Sequence, residues 1–116
     1  MPHFIIDCSE DVLDSYAENF ILEQVFHVAN DTGLFDPKDI KVRLNPYSTY
    51  TVNNQQQGFI HVFAHIMQGR NTQQKAHLSQ QIVSKLVQMF PEFETVSMNI
   101  TDFDKASYCN KASLSD

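Results

Sequence analysis

Among the 116 residues of this sequence, the second is the first whose chemistry stands out: Pro2 directly follows Met1. Initiator methionine is generally removed when a small residue follows, and proline qualifies. The product carries a free secondary amine at the start of an apolar run. An α-amino group titrates at about 7.7–8.0, so it needs little adjustment to act as a base at neutral pH. Nearby cations and apolar surroundings lower that value further. A proline that merely begins a strand is the competing reading at this level, because that is a permitted place for it.

Lys41 and Arg43 form the second constellation. They are two residues apart in a β-prone stretch, which places both on one face, with Val42 and Leu44 on the other. A solvated polar face is one outcome. The other is a pair of cations that hold carboxylates, for which the planar fork of arginine is well shaped. Arg70 lies in the turn Gly69-Arg70-Asn71, between a strand and a helix. Turns of this kind often carry binding residues, and helix N-termini favour anions. An exposed loop arginine fits that position equally.

His61 and His65 resemble a metal pair but are spaced against it. On a strand they share a face yet lie about 13 Å apart at roughly 3.3 Å per residue. One zinc ion needs its ligands within about 2.1 Å. No metal site is therefore expected. His27 and His77 have no visible partner. The sequence has no Gly-rich phosphate loop, no G-x-S-x-G elbow and no H-E-x-x-H.

The elements that must position these residues follow from periodicity. His3 to Cys8 (HFIIDC) reads as a buried strand. Ser9, Glu10 and Asp11 suit a helix start, and Leu13, Ala17, Phe20, Ile21, Val25 and Val28 approximate its apolar stripe. That helix ends near Asp31-Thr32-Gly33, with Gly33 as a left-handed cap. Leu34 to Asp39 is a turn. Ile40 to Val52 is strand-like, and Pro46 within it points to an edge position or a bulge. Asn53 to Gly58 is a polar turn, and Phe59 to Met67 is a second strong strand. Asn71 and Gln74 fit a capping box for a helix whose stripe is Leu78, Ile82, Val83, Leu86 and Phe90, stopped by Pro91. Thr95 to Phe103 reads as the last strand. A polar tail follows, with room for one short strand near Tyr108.

The order strand-helix-strand occurs twice, in halves of about 2–52 and 58–104, followed by a tail over 105–116. The expectation is one α+β domain over 1–116, a tandem βαβ repeat with two helices on one face of a four-stranded mixed sheet. The opposite face also looks apolar, and other subunits are the simplest cover for it.

Composition bounds the function. Eight Lys and Arg against fourteen Asp and Glu leave a net charge of −6, which argues against a nucleic-acid-binding surface. No apolar run approaches the roughly 20 residues of a membrane helix. The first stretch is interrupted by Asp7, Glu10, Asp11 and Asp14 and has no basic start, unlike a signal peptide. A cytoplasmic protein is expected. Cys8 and Cys109 form no C-x-x-C pair and are expected to be free thiols.

Taken together, the stretch Met1-Pro2-His3-Phe4-Ile5-Ile6-Asp7-Cys8-Ser9 resembles the start of the 5-carboxymethyl-2-hydroxymuconate isomerase family of the tautomerase superfamily. Thr32-Gly33-Leu34-Phe35 with Ile40-Lys41-Val42-Arg43, then Gly58-Phe59-Ile60-His61-Val62, then Gly69-Arg70-Asn71 with Gln74-Lys75, agree with it. The resemblance runs from Pro2 to about Asp104. It implies a tandem βαβ fold assembled as a homotrimer. It also implies that Pro2 is the catalytic base of an isomerase that shifts a C=C bond in an unsaturated 2-hydroxy or 2-oxo polycarboxylate, in bacterial homoprotocatechuate breakdown. Lys41, Arg43 and Arg70 match the family's basic positions and would bind the small carboxylate substrate. No cofactor is implied. Arginine is what the family leads one to expect where Lys41 stands, and lysine lacks its two-pronged geometry. A non-catalytic trimeric carboxylate-binding module of the same fold is the second reading.

Overall fold

The computed structural model describes residues 1–114. Strand β1 spans His3–Ser9, helix α1 Glu18–Asp31, β2 Lys41–Tyr47, β3 Phe59–Met67, helix α2 Thr72–Met89 and β4 Thr95–Phe103. The sheet order is β2-β1-β3-β4. β1 runs parallel to β2, β3 runs parallel to β4, and the central pair β1 and β3 is antiparallel. This is the expected four-stranded mixed α+β sheet with two helices, built from two βαβ units side by side.

Strict alternation selects the core. Phe4, Ile6 and Cys8 of β1 and Ile60, Val62, Ala64 and Ile66 of β3 are buried. These strands are central, so their inward residues receive cover from both sides. The edge strands contribute the partly buried Val42, Leu44, Val96, Met98 and Ile100. α1 presents Ile21, Val25 and Ala29, a strict i, i+4, i+8 row. α2 presents Leu78, Ile82 and Leu86 in the same spacing. These rows are the apolar stripes of helices laid on a sheet. Pro46 lies in β2 opposite Cys8, and β2 is an edge strand, where the missing N–H is tolerated.

The capping box at α2 forms in full. Asn71 Oδ1 accepts from Gln74 N at 2.8 Å, and Gln74 Oε1 accepts from Asn71 N at 2.9 Å. Asn71→Ala is expected to cost about 1 kcal/mol, read as a lower urea midpoint at unchanged slope. Gly33 follows α1 with φ +73°, the left-handed cap expected there. Asn53 and Asn54 both have φ near +55° (55° and 57°) between the paired Val52 and Gln55. That is the geometry of a tight hairpin turn, and asparagine tolerates it.

Several expectations are corrected. α1 starts at Glu18, because residues Glu10–Asp14 form a 3-10 turn with Val12 buried. Ser9 does not cap a helix; its hydroxyl bonds the Asp11 carboxylate and accepts from Phe59 N at 3.1 Å, tying β1 to β3. The tail has no strand at Tyr108, whose ring instead packs on Phe103 at 5.7 Å, and a short 3-10 turn follows at Ala112–Leu114. Residues 115 and 116 of the tail lie outside the described residues. Finally, the sheet face opposite the helices is mixed rather than apolar. It carries Ile5 and Phe63, but also His3, Arg43, His61 and His65, because the register stacks these alternate positions in rows.

Cys8 and Cys109 are free, the first buried and the second exposed. Burial, with Asp7, Asp11 and Glu18 adding to it, pushes the Cys8 thiol up to about 12. A thiol reagent at pH 8 is therefore expected to modify one cysteine in the folded protein and two in urea, counted by mass.

Candidate functional site

The start of β1 and the start of β2 meet at the N-terminus. Lys41 N donates to the Pro2 carbonyl at 3.1 Å, and this bond opens the parallel ladder. Pro2 itself is buried. With Met1 present the Pro2 nitrogen is an amide, and the free amine belongs to Met1. Burial lowers that amine below the usual 8.0. Asp39 opposes the shift, while Arg70 and Lys41 add to it. The N-terminal nitrogen thus sits among two cations and one carboxylate.

The Lys41 ammonium folds back along its own strand. It donates to Asp39 O at 2.9 Å and touches Met1 Sδ at 3.3 Å. Arg70 approaches from the far end of β3. Its guanidinium donates to Leu34 O at 2.6 Å and to Met67 O at 3.2 Å, and its central carbon lies 4.9 Å from the centre of the Phe35 ring. Two backbone oxygens and an aromatic face therefore hold the cation in one place. Phe35 is buried and meets the Phe4 ring edge-on at 6.1 Å. The core beneath β1 thus supports the arginine above it.

Arg43 goes elsewhere. It shares the sheet face with Lys41, as the two-residue spacing requires, but its Nη1 bonds His3 Nδ1 at 3.0 Å. Arginine has only donors, so the unprotonated Nδ1 of His3 accepts. Burial, then Arg43, Lys41, His65 and the N-terminal amine, hold His3 below the usual imidazole value. Of the four residues singled out in the sequence, Pro2, Lys41 and Arg70 converge on the N-terminal nitrogen. Arg43 joins them only through His3.

Asp39, Phe35 and His3 were not singled out in the sequence. Asp39 stands at the end of a turn, where strand alternation gives no signal. Its place two residues before Lys41 is the one clue. His61 and His65 do not act together. His61 bonds Ser97 Oγ and Asn99 Oδ1, both at 2.6 Å, and among the described residues no cluster of three or more His, Cys, Asp or Glu could hold a metal ion. No helix among them is long and apolar enough to cross a membrane.

The family model of 5-carboxymethyl-2-hydroxymuconate isomerase matches residues 2–115. The chain belongs to this family. The resemblance expected to end near Asp104 therefore extends through the tail. No curated protein sequence matches the chain. Among solved structures, a 5-carboxymethyl-2-hydroxymuconate isomerase from Deinococcus radiodurans R1 superposes with a TM-score of 0.81 at 20% identity, covering 95% of this chain and 88% of that one. A 5-carboxymethyl-2-hydroxymuconate delta-isomerase gives 0.80 at 11% identity, covering 95% and 87%. A fused 4-OT described as a symmetric trimer gives 0.76 at 14% identity, covering 95% and 94%. At these identities the structural likeness establishes the tautomerase-like fold, while the family match establishes the isomerase family.

Proposed function

We propose that this family member is a cofactor-independent isomerase in which the Pro2 amine, freed by loss of Met1, is the general base. Its substrate is an unsaturated 2-hydroxy polycarboxylate, with 5-carboxymethyl-2-hydroxymuconate as the leading compound. The neutral amine removes a proton from the substrate and leaves a dienolate. The protonated amine then returns that proton to another carbon. The double bond moves, the enol becomes a ketone, and the amine is regenerated with no atom gained or lost. Lys41, Arg43 and Arg70 bind carboxylates and offset the oxyanion charge of the dienolate.

The observation that carries this reading is the setting of the N-terminal nitrogen. With Met1 in place, burial lowers the terminal amine, Asp39 opposes the shift, and Arg70 and Lys41 add to it. Pro2, the next residue, is buried with its carbonyl on Lys41 N, so its freed amine is expected to be held uncharged in the same way, the form a base needs. The homotrimer is part of the same proposal. The chain is elongated, 50 × 26 × 26 Å with a radius of gyration of 15.2 Å, against about 13 Å for a compact chain of this length. One sheet face has no helix over it, and fused 4-OT neighbours of the same fold are trimers.

The test uses Met1-free protein, its N-terminus confirmed by mass. Enol-to-ketone conversion of 2-hydroxymuconates is followed by ultraviolet absorbance, and sedimentation gives the oligomeric state. Equal rates for Met1-free protein and its Pro2→Ala variant would remove proline from the mechanism. Binding of carboxylates without turnover, insensitive to the state of the N-terminus, would instead favour the non-catalytic module.

A further inference from the structure

We propose that His3 is a positioning residue for Arg43: with Nδ1 unprotonated it holds the guanidinium at the N-terminal end of β1, and on protonation it releases the guanidinium toward Asp7, away from the N-terminal nitrogen. The inference deepens the isomerase reading above and rests on it for the role of Arg43 in binding carboxylates.

The register gives Arg43 two partners to choose between. In the parallel pair of β1 and β2, Arg43 lies opposite Ile5. His3 and Asp7 stand two residues before and two after Ile5, so all four side chains share one sheet face. Diagonal neighbours of this kind lie about 7–8 Å away, within reach of a long side chain. Arg43 takes the neighbour on the side of the N-terminus: its Nη1 bonds His3 Nδ1 at 3.0 Å. Asp7 Oδ1 meanwhile accepts from Asn45 Nδ2, its own register partner, at 3.2 Å. A carboxylate accepts more than one donor, so Asp7 stays open to Arg43 when His3 lets go.

The bond to His3 has one permitted polarity. Arginine only donates, so Nδ1 must offer a lone pair. In the imidazolium both ring nitrogens donate, and Arg43 then loses its acceptor and meets a second positive charge. The surroundings of His3 add to that repulsion. Lys41 is its register partner on β2, His65 is its partner on β3, and the N-terminal amine is a further cation. Phe103 of β4 meets His3 edge-on at 5.9 Å and stacks on His65 at 6.1 Å, with Tyr108 of the tail packed on it at 5.7 Å. Two carboxylates bound this cluster, Asp39 in the turn before β2 and Asp7 along β1. Burial and the cations hold His3 below the usual imidazole value, so release belongs to pH below about 6.5. Of the three basic positions only Arg43 is moved by it. Arg70 is fixed by Leu34 O, Met67 O and Phe35, and Lys41 by Asp39 O. Acid therefore withdraws one guanidinium from the site and leaves the other two cations in place.

The experiment uses Met1-free protein, at concentrations where sedimentation gives one assembly state throughout, and compares wild type with His3→Asn and Asp7→Asn. Asparagine places an amide oxygen near the position of Nδ1, so it accepts from Arg43 but does not titrate. The chain has two arginines, Arg43 and Arg70, so nuclear magnetic resonance of ¹⁵N-arginine-labelled protein follows each guanidinium. In wild type the Arg43 signal is expected to shift with the His3 titration while the Arg70 signal stays. In His3→Asn the Arg43 signal is expected to stay as well, and in Asp7→Asn to move on acidification to the position of a free arginine. Calorimetry with fumarate, a dicarboxylate, reads the consequence for binding. Wild type and His3→Asn are expected to bind equally at about pH 7.5, above the imidazole value. At about pH 5, His3→Asn is expected to bind about threefold tighter, the size of one exposed ion pair. The imidazolium left near the site in wild type carries the charge of Arg43 without its paired donors. Comparing the two proteins removes the titration of the Pro2 amine, which both share. An Arg43 signal that ignores the His3 titration, or that moves equally in His3→Asn, overturns the proposal, and so does equal fumarate affinity at the lower pH. Neither readout needs turnover, so failure of the isomerase reading registers separately, as absent catalysis with the Arg43 response intact.

Discussion

Protein that has lost Met1 is expected to isomerise its substrate about 10²–10⁴ times faster than protein that keeps it, the range typical of a positioned general base. With Met1 attached, the Pro2 nitrogen is a tertiary amide whose lone pair is delocalised into the carbonyl. The Met1 amine is displaced by one residue and is no substitute in geometry. Apart from the Lys41 ammonium, which touches Met1 Sδ, the holds on the site do not involve Met1 and are expected to survive its loss: Arg70 on Leu34 O and Met67 O, and Lys41 N on the Pro2 carbonyl. Substrate affinity is therefore expected to change far less than kcat, which separates a lost base from a damaged pocket. The pH profile supplies a second check. A base works unprotonated; in the Met1-free protein the amine is that of Pro2, which is buried with its carbonyl on Lys41 N, and burial and a nearby cation both favour the uncharged form. Accordingly kcat/KM of the Met1-free protein should rise with pH and level off below about 8, the ordinary α-amino value. A flat profile, or equal rates with and without Met1, would place the base elsewhere.

The sequence carried the fold further than it carried the site, for reasons visible in particular residues. Strands β3 and β4 read to the residue because alternation runs unbroken through Ile60-Val62-Ala64-Ile66 and Val96-Met98-Ile100. The α2 cap read correctly because Asn71 and Gln74 satisfy each other's backbone donors locally. α1 was misplaced at its start because Ser9 looked like a cap, and only the pairing of β1 with β3 brings Phe59 N to its hydroxyl. β2 was read as reaching Val52 but ends at Tyr47, since β-branched residues beyond it serve the hairpin turn at Asn53-Asn54. In the site, the pleat correctly set Lys41 and Arg43 on one face. It did not say where two long side chains would bend: one folds onto Asp39 O two residues back, and the pairing of β2 with β1 sends the other to His3. Asp39 was invisible because its approach depends on a turn.

Phe4→Ala is expected to cost about 3–5 kcal/mol, from lost burial and the cavity left behind. Phe4 is fully buried on β1, between β2 and β3, where neither neighbour can move without breaking its ladder. Incomplete collapse puts the cost toward the upper end. Domains of this kind have only about 5–15 kcal/mol in total, so the variant would lose a large share of its stability. A urea midpoint lowered at unchanged slope would show this, and Phe4→Leu, which keeps most of the volume, should lose less. The same substitution reaches the site. Phe4 supports the edge of Phe35, and Phe35 carries the Arg70 guanidinium on its face. Removing the first ring frees the second to tilt into the cavity, and the arginine loses one of its three holds. At a temperature where Phe4→Ala remains folded, carboxylate binding should therefore weaken as well. Phe90→Ala is the control: that ring is equally buried but packs with Tyr16 and Phe93, away from Arg70. It should destabilise the protein without weakening carboxylate binding in the folded fraction. Equal losses of binding in both variants would mean that general loosening, rather than the Phe4–Phe35–Arg70 stack, connects the core to the N-terminus.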